Sequence, residues 1–333
     1  MKKITVIIPL YNSEKSIKET LNTLLNQSFT DFEILIINDG STDNSLAVIS
    51  NFNNDRIRVI SQNNSGAVSA YVNGIKNSNS EYIMFCDSDD FYKENYIKDA
   101  YQRITSENVD VVSYKLSYIT SNMEFIKESK YGIKPGRYSR NEIETILLPK
   151  ITFNSFKNGL THIIPVNRVT KICKKDLLLK FINDFDLSIK QLEDNVFTTL
   201  LLLNAESIYI DEKSVYDYVQ QEVSVSTGYK SNLFSEYEKS VLYLKELFSK
   251  YSFNIDPSQY TKLIFASTRV VLRRIAKSAN YKTFRKDFSD IVSTKYINEI
   301  NIKEIDDKIN IIFYILLRIK FSFITYIVLR KIF

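Results

Sequence analysis

Tyr82-Ile83-Met84-Phe85-Cys86-Asp87-Ser88-Asp89-Asp90 decides how the rest of the chain is read. An apolar run ends abruptly in three carboxylates. A strand that buries its body and presents acids at its carboxyl end is suited to hold a divalent cation. In extended backbone Asp87 and Asp89, two apart, project to the same side. Mg²⁺ and Mn²⁺ take oxygen ligands, often one or two carboxylates together with substrate phosphates. The stretch therefore points to a metal that carries a phosphate-bearing donor. Alone it also fits a solvated turn after a strand, so the decision rests on its neighbours.

Outward from this stretch, the first hundred residues alternate strand and helix. Ile4 to Pro9 is a continuous apolar run, as for a strand covered on both faces, with Pro9 as its stop. Ser13 or Ser16 can cap a helix from about Ser16 to Asn26, whose apolar stripe is Ile17, Leu21, Leu24 and Leu25. Phe32 to Ile37 is a second strand and ends in Asn38-Asp39-Gly40-Ser41-Thr42-Asp43. A helix through Leu46 to Phe52 leads to a third strand, Ile57 to Ser61, which ends in Gln62-Asn63-Asn64-Ser65-Gly66. Val68 to Asn77 is helical, and Tyr82 to Cys86 is the fourth strand. Such alternation with short connections makes an α/β fold, a mostly parallel sheet with flanking helices. Every polar loop named so far lies at a carboxyl end of a strand, the edge where open α/β sheets bind ligands. No Gly-x-Gly-x-x-Gly follows the first strand and no Gly-x-x-x-x-Gly-Lys occurs, which argues against hydride transfer to a nicotinamide and against P-loop hydrolysis.

Beyond residue 100 the pattern loosens. Strands are expected over Val109 to Ile119, Met123 to Tyr131 and Arg168 to Cys173, with a short helix at Lys175 to Lys180. Ser139-Arg140-Asn141-Glu142 is a capping box. Glu193-Asp194-Asn195 opens an apolar helix that reaches Leu203. Ser207 to Asp211 and Val215 to Gln220 read as two closing strands. After Gly228 the periodicity is helical, and Asp256-Pro257 is a strong helix start.

Composition sets outer limits. The 333 residues are 44% hydrophobic and 25% charged, enough for two domains or one large domain with an extension. The net charge of +5 is mild, and no basic block interleaved with aromatics occurs in the first 300 residues, so nucleic acid is not an expected partner. Cys86 and Cys173 are far apart in apolar settings, which fits a reducing cytosol and neither a disulfide framework nor a zinc site. The apolar run after Met1-Lys2-Lys3 stops too early for a signal peptide, and no run reaches the roughly 18 to 20 apolar residues of a spanning helix.

In order, Val6-Ile7-Ile8-Pro9-Leu10-Tyr11-Asn12, Asn38-Asp39-Gly40-Ser41-Thr42-Asp43, Asn64-Ser65-Gly66, Asp87-Ser88-Asp89-Asp90 and Glu193-Asp194 resemble the motifs of family 2 glycosyltransferases of the GT-A fold. The resemblance implies an inverting enzyme that moves a sugar from a nucleotide diphosphate donor, usually a UDP-sugar, with Mn²⁺ or Mg²⁺. It further implies a glycan or lipid-linked acceptor in cell-envelope polysaccharide synthesis, such as a capsule. Carried over by position, Pro9, Tyr11, Asn12 and Glu14 border the base and ribose. Asp39 reads the uracil imide, and Asn64 and Gly66 are further residues of the donor-binding set. Asp87 lies near the ribose and diphosphate, Asp89 is the metal ligand, and Asp194 is the general base with Glu193 beside it. Two places depart from the pattern. Tyr71 and Val72 stand where family members often have Arg-Asn, and Tyr218-Val219-Gln220-Gln221 replaces a segment that often carries arginine. An arginine at either place would help neutralise a diphosphate. Its absence keeps a second reading in play, a catalytically impaired sugar-nucleotide-binding or scaffold protein of a glycan assembly complex.

Simpler roles exist for the same residues. Acids at a helix start, such as Glu193 and Asp194, are favoured by the helix dipole. Asp39 before Gly40 suits an Asx turn. His162, the only histidine, sits in an irregular segment whose aromatics suit an acceptor sugar. The expected organisation is a nucleotide-sugar half over 1–100, an acceptor half over 101–227 and a helical region over 228–333. The tail from Asn310 to Phe333 is mostly apolar, with Arg318, Lys320, Arg330 and Lys331 and no acid. It reads as a packed helix, a homo-oligomer face, or a segment on an anionic membrane surface. The expected location is cytoplasmic, or peripheral on the inner face of the cell membrane.

Overall fold

The computed structural model describes residues 2–151, 164–220, 232–300, 305 and 308–331. His162 and Gln221, and most of the aromatic segment around 153–166, lie outside the described residues. The chain divides into two compact units, one holding the sheet, the other mostly helical.

The first unit is built on a 10-stranded mixed sheet with flanking helices, the α/β architecture expected. In chain order its elements are β1 (Ile4–Leu10), α1 (Ile17–Leu25), β2 (Phe32–Asn38), α2 (Ser45–Ser50), β3 (Ile57–Ser61), α3 (Ala67–Asn77), β4 (Tyr82–Phe85), β5 (Phe91–Tyr92) and α4 (Tyr96–Glu107). Then come β6 (Val111–Thr120), β7 (Phe125–Glu128), β8 (Gly136–Ser139), α5 (Arg140–Glu142), β9 (Lys171–Lys174), α6 (Lys175–Lys180), α7 (Glu193–Asn204) and β10 (Ser207–Gln220). The sheet order is β3-β2-β1-β4-β9-β6-β10-β5. β1 pairs in parallel with β2 and β4, and β2 with β3. β9 runs antiparallel between β4 and β6, while β6 and β10 are parallel.

β1, β2 and β4 are buried along almost their whole length, which is why they read as predominantly apolar runs. β3, on the edge, alternates and leaves Val59 exposed. Two expected stops do not hold. β1 continues through Pro9 to Leu10, because Pro9 lies past the last residue pairing with β4 and needs no N–H on that side. The two closing strands are one strand, β10, whose pairing with β6 shifts register between Ile210 and Tyr216. That irregularity absorbs the charged Asp211-Glu212-Lys213. The strand expected from Arg168 begins only at Lys171, after a 3₁₀ turn over Arg168–Thr170. α7 buries every residue from Asn195 to Leu203, so it is a core helix with its first turn at the surface.

The second unit contains α8 (Leu233–Lys250), α9 (Pro257–Ser278), α10 (Tyr281–Val292), α11 (Lys295–Glu299), α12 (Lys308–Arg318) and α13 (Ser322–Lys331). Pro257 opens α9, as its position after Asp256 requires. Asn280 caps α10 by accepting a hydrogen bond from the Thr283 N–H at 3.0 Å. No helix among the described residues is long and apolar enough to cross a membrane.

Candidate active site

The chain runs outward from β1 to β2 and β3, then returns to place β4 on the other side of β1. A crevice opens at the carboxyl ends of strands where the order reverses in this way. Pro9, Leu10 and Tyr11 leave β1 there, and Asp87, Ser88 and Asp89 follow β4. With Asp39 and Ala67 they line a cleft of about 220 Å³. A larger cavity, about 330 Å³, lies in the second unit between α8 and α9, but its lining is mainly apolar and includes Tyr237, Val241 and Ile264. The charge chemistry is in the smaller cleft.

The acidic turn is fastened from both sides. The Ser88 carbonyl accepts from the hydroxyls of Ser16 (2.9 Å) and Thr20 (3.1 Å), and the Ser88 and Ser13 hydroxyls meet at 2.6 Å. Ser16 stands at the start of α1 but does not cap it; its hydroxyl holds the turn instead. Asp90 faces inward, 1% exposed, and accepts from the Tyr216 hydroxyl and the Val219 N–H, both at 2.9 Å. The Tyr216 oxygen in turn accepts from the Asp87 N–H at 3.1 Å. Asp90 is thus an anchor to β10, while Asp87 and Asp89 face the cleft.

These carboxylates are held above their usual range. Burial pushes Asp87 up to about 6; the Tyr71 hydroxyl bond and the Arg168 charge pull against it, and Asp89 and Asp194 add to it. Burial raises Asp89 too. Burial, then the charges of Asp87 and Asp89, holds Asp90 well above the carboxylate range. Crowded, partly dehydrated acids favour a proton or a cation. Among the described residues no group of three His, Cys, Asp or Glu side chains gathers into a metal cage. The donor set is the aspartate pair, which fits an ion arriving with phosphates better than a resident one.

Asp39, 3% exposed, accepts from Gln62 Nε2 and the Ser65 N–H through Oδ1, and from the Gly66 N–H through Oδ2, each at 2.8 Å. It locks the Asn64-Ser65-Gly66 loop against β2. Gly40 makes the fit: its φ is +74°, and a Cβ there would stand 3.0 Å from the Asn64 backbone nitrogen. A carboxylate has about four lone-pair sites, so Asp39 retains capacity for a ring N–H. Tyr11 is 51% exposed at the cleft mouth, an accessible face for stacking. Asn12 and Glu14 are turned elsewhere. Asn12 Oδ1 accepts from the Thr42 N–H at 2.8 Å, and Glu14 Oε2 from the Asn44 N–H at 3.0 Å. Their side chains brace the 41–44 loop rather than line the cleft.

A cation reaches the Tyr71 side chain from another segment. Arg168, 7% exposed, stacks its guanidinium 3.7 Å from the Tyr71 ring centroid, with Phe197 at 5.7 Å. Its Nη2 is 3.4 Å from Asp194 Oδ1. Since the Tyr71 hydroxyl donates to Asp87 Oδ1, a continuous line of contacts runs Asp194–Arg168–Tyr71–Asp87. The sequence carries only a general hint: Arg168 and Lys171 stand among apolar residues, and a buried charge needs a partner, which the sequence does not name. Asp194 is brought to this site, its Oδ2 uncommitted among the described residues. Glu193 is grouped with the second unit, where its charge helps burial keep the Tyr237 hydroxyl protonated.

The family model described as Glycosyl transferase family 2 matches residues 5–171, which include every cleft residue and Arg168. The poly(ribitol-phosphate) beta-N-acetylglucosaminyltransferase TarS of Staphylococcus aureus is 32% identical over 223 residues, 66% of this chain and 35% of TarS. An uncharacterized glycosyltransferase of Rickettsia typhi is 30% identical over 215 residues, 63% of this chain and 61% of its own. The matched region thus spans about a third of TarS and three-fifths of the rickettsial protein. The crystal structure of S. aureus TarS 1–349 in complex with UDP-GlcNAc shares the fold, with a TM-score of 0.65 at 22% identity over 99% of this chain and 90% of that one. With the family match covering half of the chain and its cleft built from the matched residues, the chain belongs to glycosyl transferase family 2.

Proposed function

We propose that the chain transfers a sugar, with inversion, from a nucleotide diphosphate donor to a hydroxyl of a cell-envelope glycan or lipid-linked acceptor. The observation that carries this reading is the convergence of Pro9, Tyr11, Asp39, Asp87 and Asp89 in one cleft at the strand-order reversal. UDP is the favoured nucleotide: Asp39 offers an acceptor for an imide N–H, and structures of the similar TarS hold UDP-GlcNAc and UDP. The similarity to a poly(ribitol-phosphate) transferase favours a polyol or sugar hydroxyl of an envelope polymer as acceptor.

In the proposed reaction the acceptor oxygen attacks the anomeric carbon, the bond from that carbon to the diphosphate oxygen breaks, and the acceptor proton passes to Asp194. Arg168 occupies only Oδ1 of Asp194. The second oxygen is left to take the proton, and the arginine lends positive charge on the Asp87 side of the site. Asp89, with Asp87 beside it, would hold Mn²⁺ or Mg²⁺, which when bound would supply Lewis-acid stabilisation of the leaving diphosphate. Tyr71 keeps Asp87 oriented through its hydroxyl and presents the ring on which Arg168 rests.

Transfer from UDP-sugars with Mn²⁺ tests the assignment. Asp194→Ala and Asp89→Ala are each expected to lower kcat by about 10²- to 10⁴-fold, the range for losing a positioned proton acceptor or charge stabiliser. Arg168→Lys, which loses the planar stack, is expected to raise the KM for donor and lower kcat together. If neither aspartate substitution alters a measurable activity, the site is misassigned. UDP binding without turnover on any acceptor would instead mark a sugar-nucleotide-binding module.

A further inference from the structure

The C-terminal segment Asn310 to Lys331 is two helices, each with one apolar stripe packed and another bare. On α12, Phe313 and Leu317 are buried, while Ile312 (54%), Ile315 (44%) and Ile319 (61%, just past its end) are exposed. On α13, Thr325 and Leu329 are fully buried, while Phe323 (52%) and Ile327 (37%) are exposed; Phe321, between the helices, is 47% exposed. Scattered exposed apolar residues are ordinary, but a run of large ones within two short helices marks an interaction surface. The inner stripe already satisfies the fold, so the outer one is surplus to it.

Charge selects the occupant. The segment contains Arg318, Lys320, Arg330 and Lys331 and no acid. Arg318 donates to the Asn298 side-chain oxygen at 2.7 Å and Arg330 to the Tyr326 hydroxyl at 2.6 Å, both neutral partners. None of the four cations has a carboxylate partner among the described residues. A second copy of the same face would bring no carboxylate to these cations, because a two-fold pairing presents the same acid-free surface from both sides. Helices of 11 and 10 residues rise about 16 Å, half of the ~30 Å hydrocarbon layer, so they can lie on a bilayer but not cross it.

We propose that α12 and α13 form a docking face for an anionic lipid bilayer, with Ile315, Ile319, Phe321 and Phe323 entering the interface and the four cations meeting headgroup charge. The face holds the enzyme at the surface where a lipid-linked or envelope-polymer acceptor would be found. Its existence does not depend on the reaction proposed above.

Sedimentation of the full chain with vesicles tests it directly. Wild type is expected to bind phosphatidylcholine vesicles containing phosphatidylglycerol about tenfold or more better than phosphatidylcholine alone, and the difference should shrink at high salt. Ile319→Glu with Phe323→Glu should abolish binding. Lys320→Gln with Lys331→Gln, at exposed positions that leave the packing intact, should reduce it severalfold at an unchanged melting temperature. The second pair carries the test if the first disturbs folding. Equal binding to both vesicle types, or none to either, overturns the proposal. So does a wild-type oligomer in light scattering that the charge-insertion pair converts to a monomer, because the face is then a subunit contact.

Discussion

Lys171 is fully buried, and its ammonium is held by the Pro165 and Asn167 carbonyls at 2.9 and 2.7 Å. It pins the backbone that delivers Arg168 to Tyr71. Burial lowers its pKa from 10.5 to about 8, although nearby Asp194 works the other way. Between those values the unfolded chain holds the proton more tightly than the folded one, so stability rises with pH across that window. Below pH 8 the folded state carries a penalty on the order of 3 kcal/mol, from 1.36 kcal/mol per unit. Urea unfolding of wild type and Lys171→Met at pH 7 and pH 10 reads this out. The difference between them should move toward wild type at pH 10, since methionine does not titrate and the other groups cancel. The same difference at both pH values would mean that Lys171 is not desolvated as the fold implies. Neither basic residue's task was visible in the sequence. The carboxylates were, because Asp39 and Asp87 follow apolar runs and Asp194 opens an apolar helix, whereas Arg168 gains its meaning from Tyr71 and Asp194, which only the fold brings to it.

At the scale of elements, long buried strands were legible and small or irregular ones were not. β1, β2 and β4 announced themselves through predominantly apolar residues. β5, two residues long, and β8, four, carry too little pattern to detect. β10 was read as two strands because Asp211-Glu212-Lys213 breaks its apolar run, yet Arg103 pairs with Asp211 at 3.1 Å and the backbone pairing resumes beyond. The positions of Asn12 and Glu14 were legible; their orientation toward the 41–44 loop was not. Gly74 shows how closely the elements fit. It lies inside α3, and a Cβ there would stand 2.5 Å from the Cγ2 of Ile7, a fully buried residue of β1. Alanine would gain up to ~1 kcal/mol of helix propensity. Forcing a methyl into a filled core costs about 1–3 kcal/mol, and the branched methyl of Ile7 is a poor candidate to move. Overpacking should therefore win, and Gly74→Ala is expected to lower the melting temperature by a few degrees. A rise would show that β1 and α3 separate easily, and with them the walls of the cleft.

For the molecule as a whole, the sequence supplied the succession of elements but not the order of strands, and the order makes the site. Only when β4 returns to the far side of β1 do Pro9 and Tyr11 face Asp87 and Asp89. The aspartates then acquire a cleft, and the loop bound by Asp39 closes its other side. The two units consequently offer two distinct chemistries along one chain: clustered carboxylates and an exposed tyrosine in the sheet unit, and, on α12 and α13 of the helical one, bare apolar side chains with cations that have no carboxylate partner among the described residues. Hydrogen exchange followed by mass spectrometry can read both in the same protein, because a bound ligand slows the opening of the segments it holds. UDP with Mn²⁺ is expected to slow exchange at Asp39–Ser41, Ser65–Ala67 and Asp87–Asp90, with little change in β7, whose four residues are all exposed. Anionic vesicles are expected to slow it in α12 and α13. Nucleotide protection centred on α8 and α9, around the larger apolar cavity, would move the donor site out of the sheet unit and refute the assignment of Asp87 and Asp89.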